Sequence, residues 1–322
     1  MRFAVSGFLI LVTCCGGEGT GGGTTEEATV VSSLTSDFTP PTGAAAGPGE
    51  AGPWNNRLMI ATSTDGLNFT RKNVVVTDQG DVPDLVIAPS GRLFLYYTGW
   101  TIGTEVNKIV VAVSDDSGTT WAYKRVSISG FQGYAEPVDP DVQLLSDGTF
   151  RLFVTSDPGD GQGPRTYCTT SSDGFTFSKV GVAFAQPGKQ VLDPTTYYAN
   201  GTWHLYAGGS TSTALANWHA TSADGITFTY SDERLFTTSG GNCAVANAVA
   251  VSAGWRFYAF THSTSPSIVS FFSTDGWTWS SESGTRLALD TSAGLESNGV
   301  KDPAVVRLAD GTWFMIYVSR IP

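Results

Sequence analysis

Five short stretches carry the residue types that could do chemistry. They read Val82-Pro83-Asp84-Leu85, Val138-Asp139-Pro140-Asp141-Val142, Leu192-Asp193-Pro194-Thr195, Ala246-Asn247-Ala248 and Lys301-Asp302-Pro303-Ala304. Four of the five hold a carboxyl group, and in three an Asp directly precedes Pro. Carboxyls brought together from separate segments can divide one reaction between an acid and a base. One of them must then stay protonated near neutral pH, through burial or a like-charged neighbour. Asp before Pro is also a common turn-former. A strand-capping role for Asp84, Asp139, Asp193 and Asp302 therefore stands beside the chemical one. Asp141, Glu136 and Glu296 break the repeat. Glu136 and Glu296 precede an Asp-Pro pair by three and six residues, as pocket-side carboxylates or as solvated loop acids.

The elements that must position these groups are repeats. The pattern Ser-x-Asp-Gly-x-x-aromatic begins at Ser63, Ser171, Ser222 and Ser273, with a longer version, Ser-Asp-Asp-Ser-Gly-Thr-Thr-Trp, over 114–121. A second repeat interleaves with it: an apolar run, a glycine turn, then an aromatic-rich run. Its turn glycines are Gly91, Gly148, Gly201, Gly254 and Gly311. Each unit reads as a β-hairpin, so a period of roughly fifty residues holds four strands. The expected fold is all-β: a five-bladed β-propeller with four antiparallel strands per blade. The first hairpin, near 57–77, and the last, near 300–321, are of opposite type. Their pairing in one blade closes the ring and leaves no open edge.

The chain has 322 residues and a net charge of −11, which argues against a nucleic-acid partner. Three His and four scattered Cys argue against a structural zinc site. His204 and His219 read as core or surface residues. Residues 3–13 form an apolar run after Arg2, too short to span a bilayer and the right length for a signal peptide. The run ends at Thr13-Cys14-Cys15, which resembles a bacterial lipobox with Cys14 as the lipidated residue and Cys15 as the alternative. An ordinary secretory signal is the other reading. Residues 1–15 are thus expected as signal peptide, 16–52 as a flexible Gly/Thr/Ser/Pro linker, and 53–322 as the propeller. The protein is expected to be exported, as a cell-envelope lipoprotein touching membrane only through its lipid, or as a secreted monomer. Cys168 and Cys243 are either a disulfide or two buried thiols.

The segment over 114–121 resembles the Asp box of sialidases and related propellers, where it is structural. The series of strand starts resembles the five-bladed glycosidases of glycoside hydrolase families 43, 32, 62 and 68, over about residues 54–322. That resemblance implies hydrolysis of a poly- or oligosaccharide, with two carboxyl groups flanking one sugar bond. It implies Asp302 as base, Asp139 as the carboxylate that tunes the acid, and Pro83-Asp84 as the family's second motif. The family's blade order is circularly shifted. Asp193, one methylene shorter, stands where the family places its Glu general acid. Asp84, Asp141, Glu136 and Glu296 are then candidate substrate-binding acids, and Trp100 and Tyr134 candidate stacking surfaces for a sugar face. No cofactor is implied beyond a calcium ion among the channel acids. The competing reading is a non-catalytic surface propeller that binds glycan or protein.

Overall fold

Alternation along the strands sets the architecture. In Leu93–Ile102, residues Leu93, Leu95 and Tyr97 are buried against Leu58, Ile60, Ile316 and Val318. The intervening Phe94 and Tyr96 are buried against Phe150, Leu152 and Val154. Successive side chains point to opposite faces of a strand, so each sheet packs on both neighbours. The computed structural model describes residues 34–209 and 216–322. The candidate signal segment with Cys14, and residues 16–33 of the expected linker, lie outside the described residues.

Five small antiparallel sheets form the five blades. From innermost strand outward, blade 1 is Gly80–Ile87, Leu93–Ile102, Glu105–Ser114 and Ala122–Arg125. Blade 2 is Val138–Leu144, Phe150–Ser156, Arg165–Ser171 and Thr176–Phe184, with the short Ser127–Ser129 added in parallel at its outer edge. Blade 3 is Leu192–Ala199, Thr202–Gly208, Asn217–Ser222 and Thr229–Arg234. Blade 4 is Gly241–Val251, Gly254–Thr261, Ile268–Ser273 and the two-residue Ser280–Ser281, with Phe236–Thr238 folded against its innermost strand. Blade 5 joins Ser297–Arg307 and Trp313–Arg320 to Asn56–Ser63 and Thr70–Asp78. The closure expected from the two hairpin types is therefore present: eight consecutive residue pairs link Asn56–Ser63 to Trp313–Arg320.

The Ser-x-Asp-Gly turns join the third and fourth strands of the blades and share one hydrogen-bond pattern. In blade 5, Ser63 Oγ accepts from Gly66 N at 3.0 Å, and Asp65 Oδ1 accepts from Leu67 N and Asn68 N at 2.8 Å. Each turn also docks on the preceding blade. Tyr96, Tyr197 and Tyr258 donate their hydroxyls to the carbonyls of Gly174, Gly276 and Gly66, each at 2.7 Å. Arg151 does the same for Gly225 at 2.8 Å. All four glycines sit at positive φ, +67° at Gly225, and at Gly225 and Gly276 an added Cβ would stand 2.4 Å from a neighbouring side chain. Cys168 and Cys243 are two free, buried thiols. His204 and His219 are buried, in contact at 3.1 Å and stacked between Tyr197 and Tyr206.

The described part of the expected linker departs from a flexible tether. Phe38 is buried in the core between blades 5 and 1, beside Tyr123. Asp37 pairs with Lys124, Gly43 N donates to Asp78 Oδ2 at 2.5 Å, and Trp100 Nε1 donates to Ala46 O at 3.0 Å. One aromatic ring and a few polar bonds outweigh the flexibility that the composition suggests, because the groove between two blades offers Phe38 apolar cover.

Phe38→Ala is expected to lower unfolding free energy by about 2–4 kcal/mol, read from a denaturant midpoint. Gly225→Ala combines positive φ with a Cβ placed 2.4 Å from Arg151 Nη1 and 2.7 Å from the Trp203 ring. It is expected to cost about 2–4 kcal/mol in the same assay.

Candidate active site

The innermost strands carry the candidate acids, and one backbone device aims them. Every inner strand loses register with its partner at the same place: between Asp81 and Asp84, Val138 and Asp141, Leu192 and Thr195, Val245 and Asn247, and Lys301 and Ala304. In the four blades with X-Pro, the residue before Pro is left-handed, with φ of 45° at Val82, 54° at Asp139, 49° at Asp193 and 44° at Asp302. Such bulges re-aim side chains, and positive φ outside glycine is costly enough to be rare. Here it recurs in register, and Val82, Asp193 and Asp302 line one small cavity of about 50 Å³ on the propeller axis.

Asp139, Asp193 and Asp302 come together, as the Asp-Pro series suggests. The Asp193 charge acts on the Asp139 carboxyl, so that a proton on the pair is favoured over two charged groups. Burial and the charges of Asp193 and Asp81 push the Asp139 carboxyl well up. Asp193 is open to solvent at the channel mouth. Its carboxyl is raised as well, by the protein around it and by Asp81, against the pull of Lys301. Asp302 is raised to about 7, mainly by burial, with Lys301 pulling down and Asp81 and Asp193 pushing up. Lys301 Nζ lies 2.6 Å from Asp302 Oδ2 and 2.7 Å from Asp81 Oδ1, bridging the two. Asn56 Nδ2 donates to Asp81 Oδ2 at 2.8 Å.

Beside this cluster opens a cleft of about 320 Å³, lined among others by Asp81, Lys301, Asn56, Asn298, Thr264 and Arg320. That volume lies at the lower end of small-molecule sites. Asp81, Lys301 and the cleft residues have no place in the reading of the Asp-Pro series. Their signal was faint: Lys301 directly precedes Asp302, and Asp81 directly precedes Val82, the one X-Pro position without an acid.

The other candidate site residues lie elsewhere or are engaged. Asp84 accepts from Val142 N at 2.7 Å, and Asp141 accepts from Thr196 N at 3.0 Å and Thr196 Oγ1 at 2.6 Å. Both side chains bind one blade to the next, and both also line the small axial cavity. Asn247 works the same way, accepting from Val305 N at 3.1 Å and donating to Asp84 Oδ1 at 3.3 Å. Glu296 is buried inside blade 5, bonded by Arg71 at 2.5 Å and by the Tyr317 hydroxyl at 2.6 Å. Glu136 pairs with Lys108 at 2.6 Å in a separate groove between blades 1 and 2. Trp100 packs edge-on against Trp54 at 5.1 Å, under the 46–54 segment. Tyr134 joins Phe131 and Tyr167 around the Lys179 ammonium, which lies 4.2 Å from its ring. Among the described residues, no group of three or more His, Cys, Asp or Glu is arranged to hold a metal ion. The positive charge set among these acids is the Lys301 ammonium.

No family model and no curated protein matches the chain. Solved structures do share its fold. A thermostable family-43 glycoside hydrolase aligns with a TM-score of 0.60 at 13% identity, over 75% of this chain and 89% of that one. An α-L-arabinofuranosidase from Clostridium thermocellum aligns with a TM-score of 0.56 at 16% identity, over 74% and 81%. An N-acetylgalactosamine deacetylase from F. plautii, solved with blood group B trisaccharide, aligns with a TM-score of 0.57 at 16% identity, over 78% and 81%. The architecture is thus the five-bladed propeller seen in family-43 glycoside hydrolases.

Burial, foremost, pushes the Asp84 carboxyl up to about 7 from 3.8. The folded chain therefore binds this proton more tightly than the unfolded chain. That contribution is full below about pH 4 and is lost as pH rises through about 7. Asp84→Asn cannot titrate, so its unfolding free energy is expected to fall less steeply than the parent's between these limits, as measured by urea unfolding at several pH values.

Proposed function

We propose that this is an exported glycoside hydrolase-like protein that acts on a poly- or oligosaccharide through the Asp139, Asp193 and Asp302 carboxyls. The observation that carries this reading is their convergence from three blades beside a polar cleft: Asp193 and Asp302 line the axial cavity, and Asp139 stands within reach of both charges. In this reading the Asp139–Asp193 pair supplies the proton to the leaving oxygen of the glycosidic bond, Asp193 being its solvent-open member. Asp302 takes a proton from a water that attacks the anomeric carbon, and the outcome is inversion. The pair performs the duty that the resembling families give to Glu: two crowded carboxyls hold a proton where one alone would release it. Asp302, raised to about 7, is poised as a base near neutral pH. The fold shared with family-43 hydrolases supports a carbohydrate substrate. Export rests on residues 1–15, and anchoring on Cys14.

The test is a hydrolysis screen of the protein on arabinan, xylan, fructan and aryl glycosides, with Asp302→Asn and Asp193→Asn in parallel. Each substitution is expected to lower kcat by about 10²–10⁴-fold with the melting transition preserved. The base must be ionised, so activity is expected to rise with pH toward about 7 on its acid limb and to fall once the Asp139–Asp193 pair loses its proton. No turnover by a folded protein across the panel would leave the same cleft as a glycan-binding site on a non-catalytic propeller.

A further inference from the structure

We infer that the cleft selects an anionic sugar residue, one carrying a carboxylate or a sulfate ester, and that Arg320 is the residue that recognises the charge. This deepens the carbohydrate reading and rests on it for the nature of the ligand.

Arg320 stands directly opposite Asn56 across the strands that close blade 5. Opposed residues of an antiparallel pair share one face of the sheet. Asn56 uses that face to reach Asp81 on blade 1. Val318, two residues earlier and so on the same face, is buried in the core shared with blade 1. Arg320 continues the row past the edge of that core, where it lines the cleft.

Its guanidinium has no hydrogen-bond, ion-pair or ring partner among the described residues, and in this it differs from every other described arginine. Seven of those pair with Asp or Glu. The remaining three, Arg151, Arg286 and Arg307, bond backbone carbonyls. The chain commits each guanidinium it does not need elsewhere, and leaves uncommitted the one that lines the cleft beside the acids. Lys301 cannot take the role, since its ammonium is held between Asp81 and Asp302. That bridge offsets the negative charge of the adjoining wall, which lowers the repulsion an incoming anion meets. A guanidinium fork binds carboxylates and similar oxyanions through two parallel bonds, with more directional preference than an ammonium. The side chains of Asn298 and Thr264 on the same cleft also have no partner among the described residues, and they suit sugar hydroxyls.

The test is calorimetric binding of oligomers of galacturonate, glucuronate and mannuronate and of a sulfated galactan, each beside its carboxyl-reduced or desulfated form. The parent, Arg320→Gln and Arg320→Lys are compared. At least one acidic probe is expected to bind the parent roughly tenfold or more tightly than its neutral form. Arg320→Gln is expected to erase that ratio, and Arg320→Lys to restore part of it. The carboxylate and sulfate probes separate the two sources of charge. Equal binding of charged and neutral forms, no binding of any acidic probe, or a ratio that survives Arg320→Gln would overturn the inference. Binding is read without turnover. An acid preference with no cleavage counts against the hydrolase alone, and cleavage of neutral glycans without that preference counts against Arg320 alone.

Discussion

The inner strands of a propeller are sheet edges that face one another around a channel, too splayed to pair. Their unpaired amides still need acceptors, because a buried N–H without one costs about as much as a lost hydrogen bond. This chain meets the need with side chains lent from blade to blade. Asp84 serves Val142, Asp141 serves Thr196, and Asn247 serves Val305. Further out, hydroxyls of Tyr96, Tyr197 and Tyr258 serve turn carbonyls of the following blade. The blades are therefore registered by polar bonds at two radii, and apolar packing fills the space between.

The same axis carries the candidate chemistry. A bulge before each Pro turns one residue per blade toward the channel, and in three blades that residue is Asp. Crowding carboxyls in a confined space would be prohibitive if all were charged. The molecule relieves it in two ways. Burial and the Asp193 charge favour a proton on Asp139, and Lys301 stands between Asp81 and Asp302. A blade-tying acid and a candidate site acid thus sit two residues apart on one strand: Asp141 bonds Thr196 of the next blade, while Asp139 stands beside Asp193. The Pro between them is where the strand changes register.

Much of this architecture was legible because it repeats. Ser-x-Asp-Gly turns and glycine hairpins at a near-constant period state blade number and closure without any tertiary information. The convergence of Asp139, Asp193 and Asp302 follows from the same repeat. What period cannot tell is which side of a bulge a residue falls on, so Asp84 and Asp141 read like Asp139 although they serve amides. Glu296 and Glu136 lie outside the repeat, and their partners, Arg71 and Lys108, are remote in sequence or unmarked by any motif. Asp81 and Arg320 gain meaning only when blades 5 and 1 are set side by side. The 34–52 segment misleads in the opposite direction, since a low-complexity composition hides the single buried ring of Phe38.

Blade 5 also bears on the order in which the molecule assembles. Blades 1 to 4 are each built from one continuous stretch and can form as soon as that stretch exists. Blade 5 must bring Asn56–Ser63 to Trp313–Arg320, the most distant pairing in the sequence, and such contacts carry a high closure entropy and form slowly. Until then the faces that receive Leu58, Ile60, Ile316 and Val318 stay bare, and an open ring of four blades presents a sticky surface at each end. Ring closure is the step at which this chain is most exposed to self-association during biogenesis, and the step on which its final cooperativity depends.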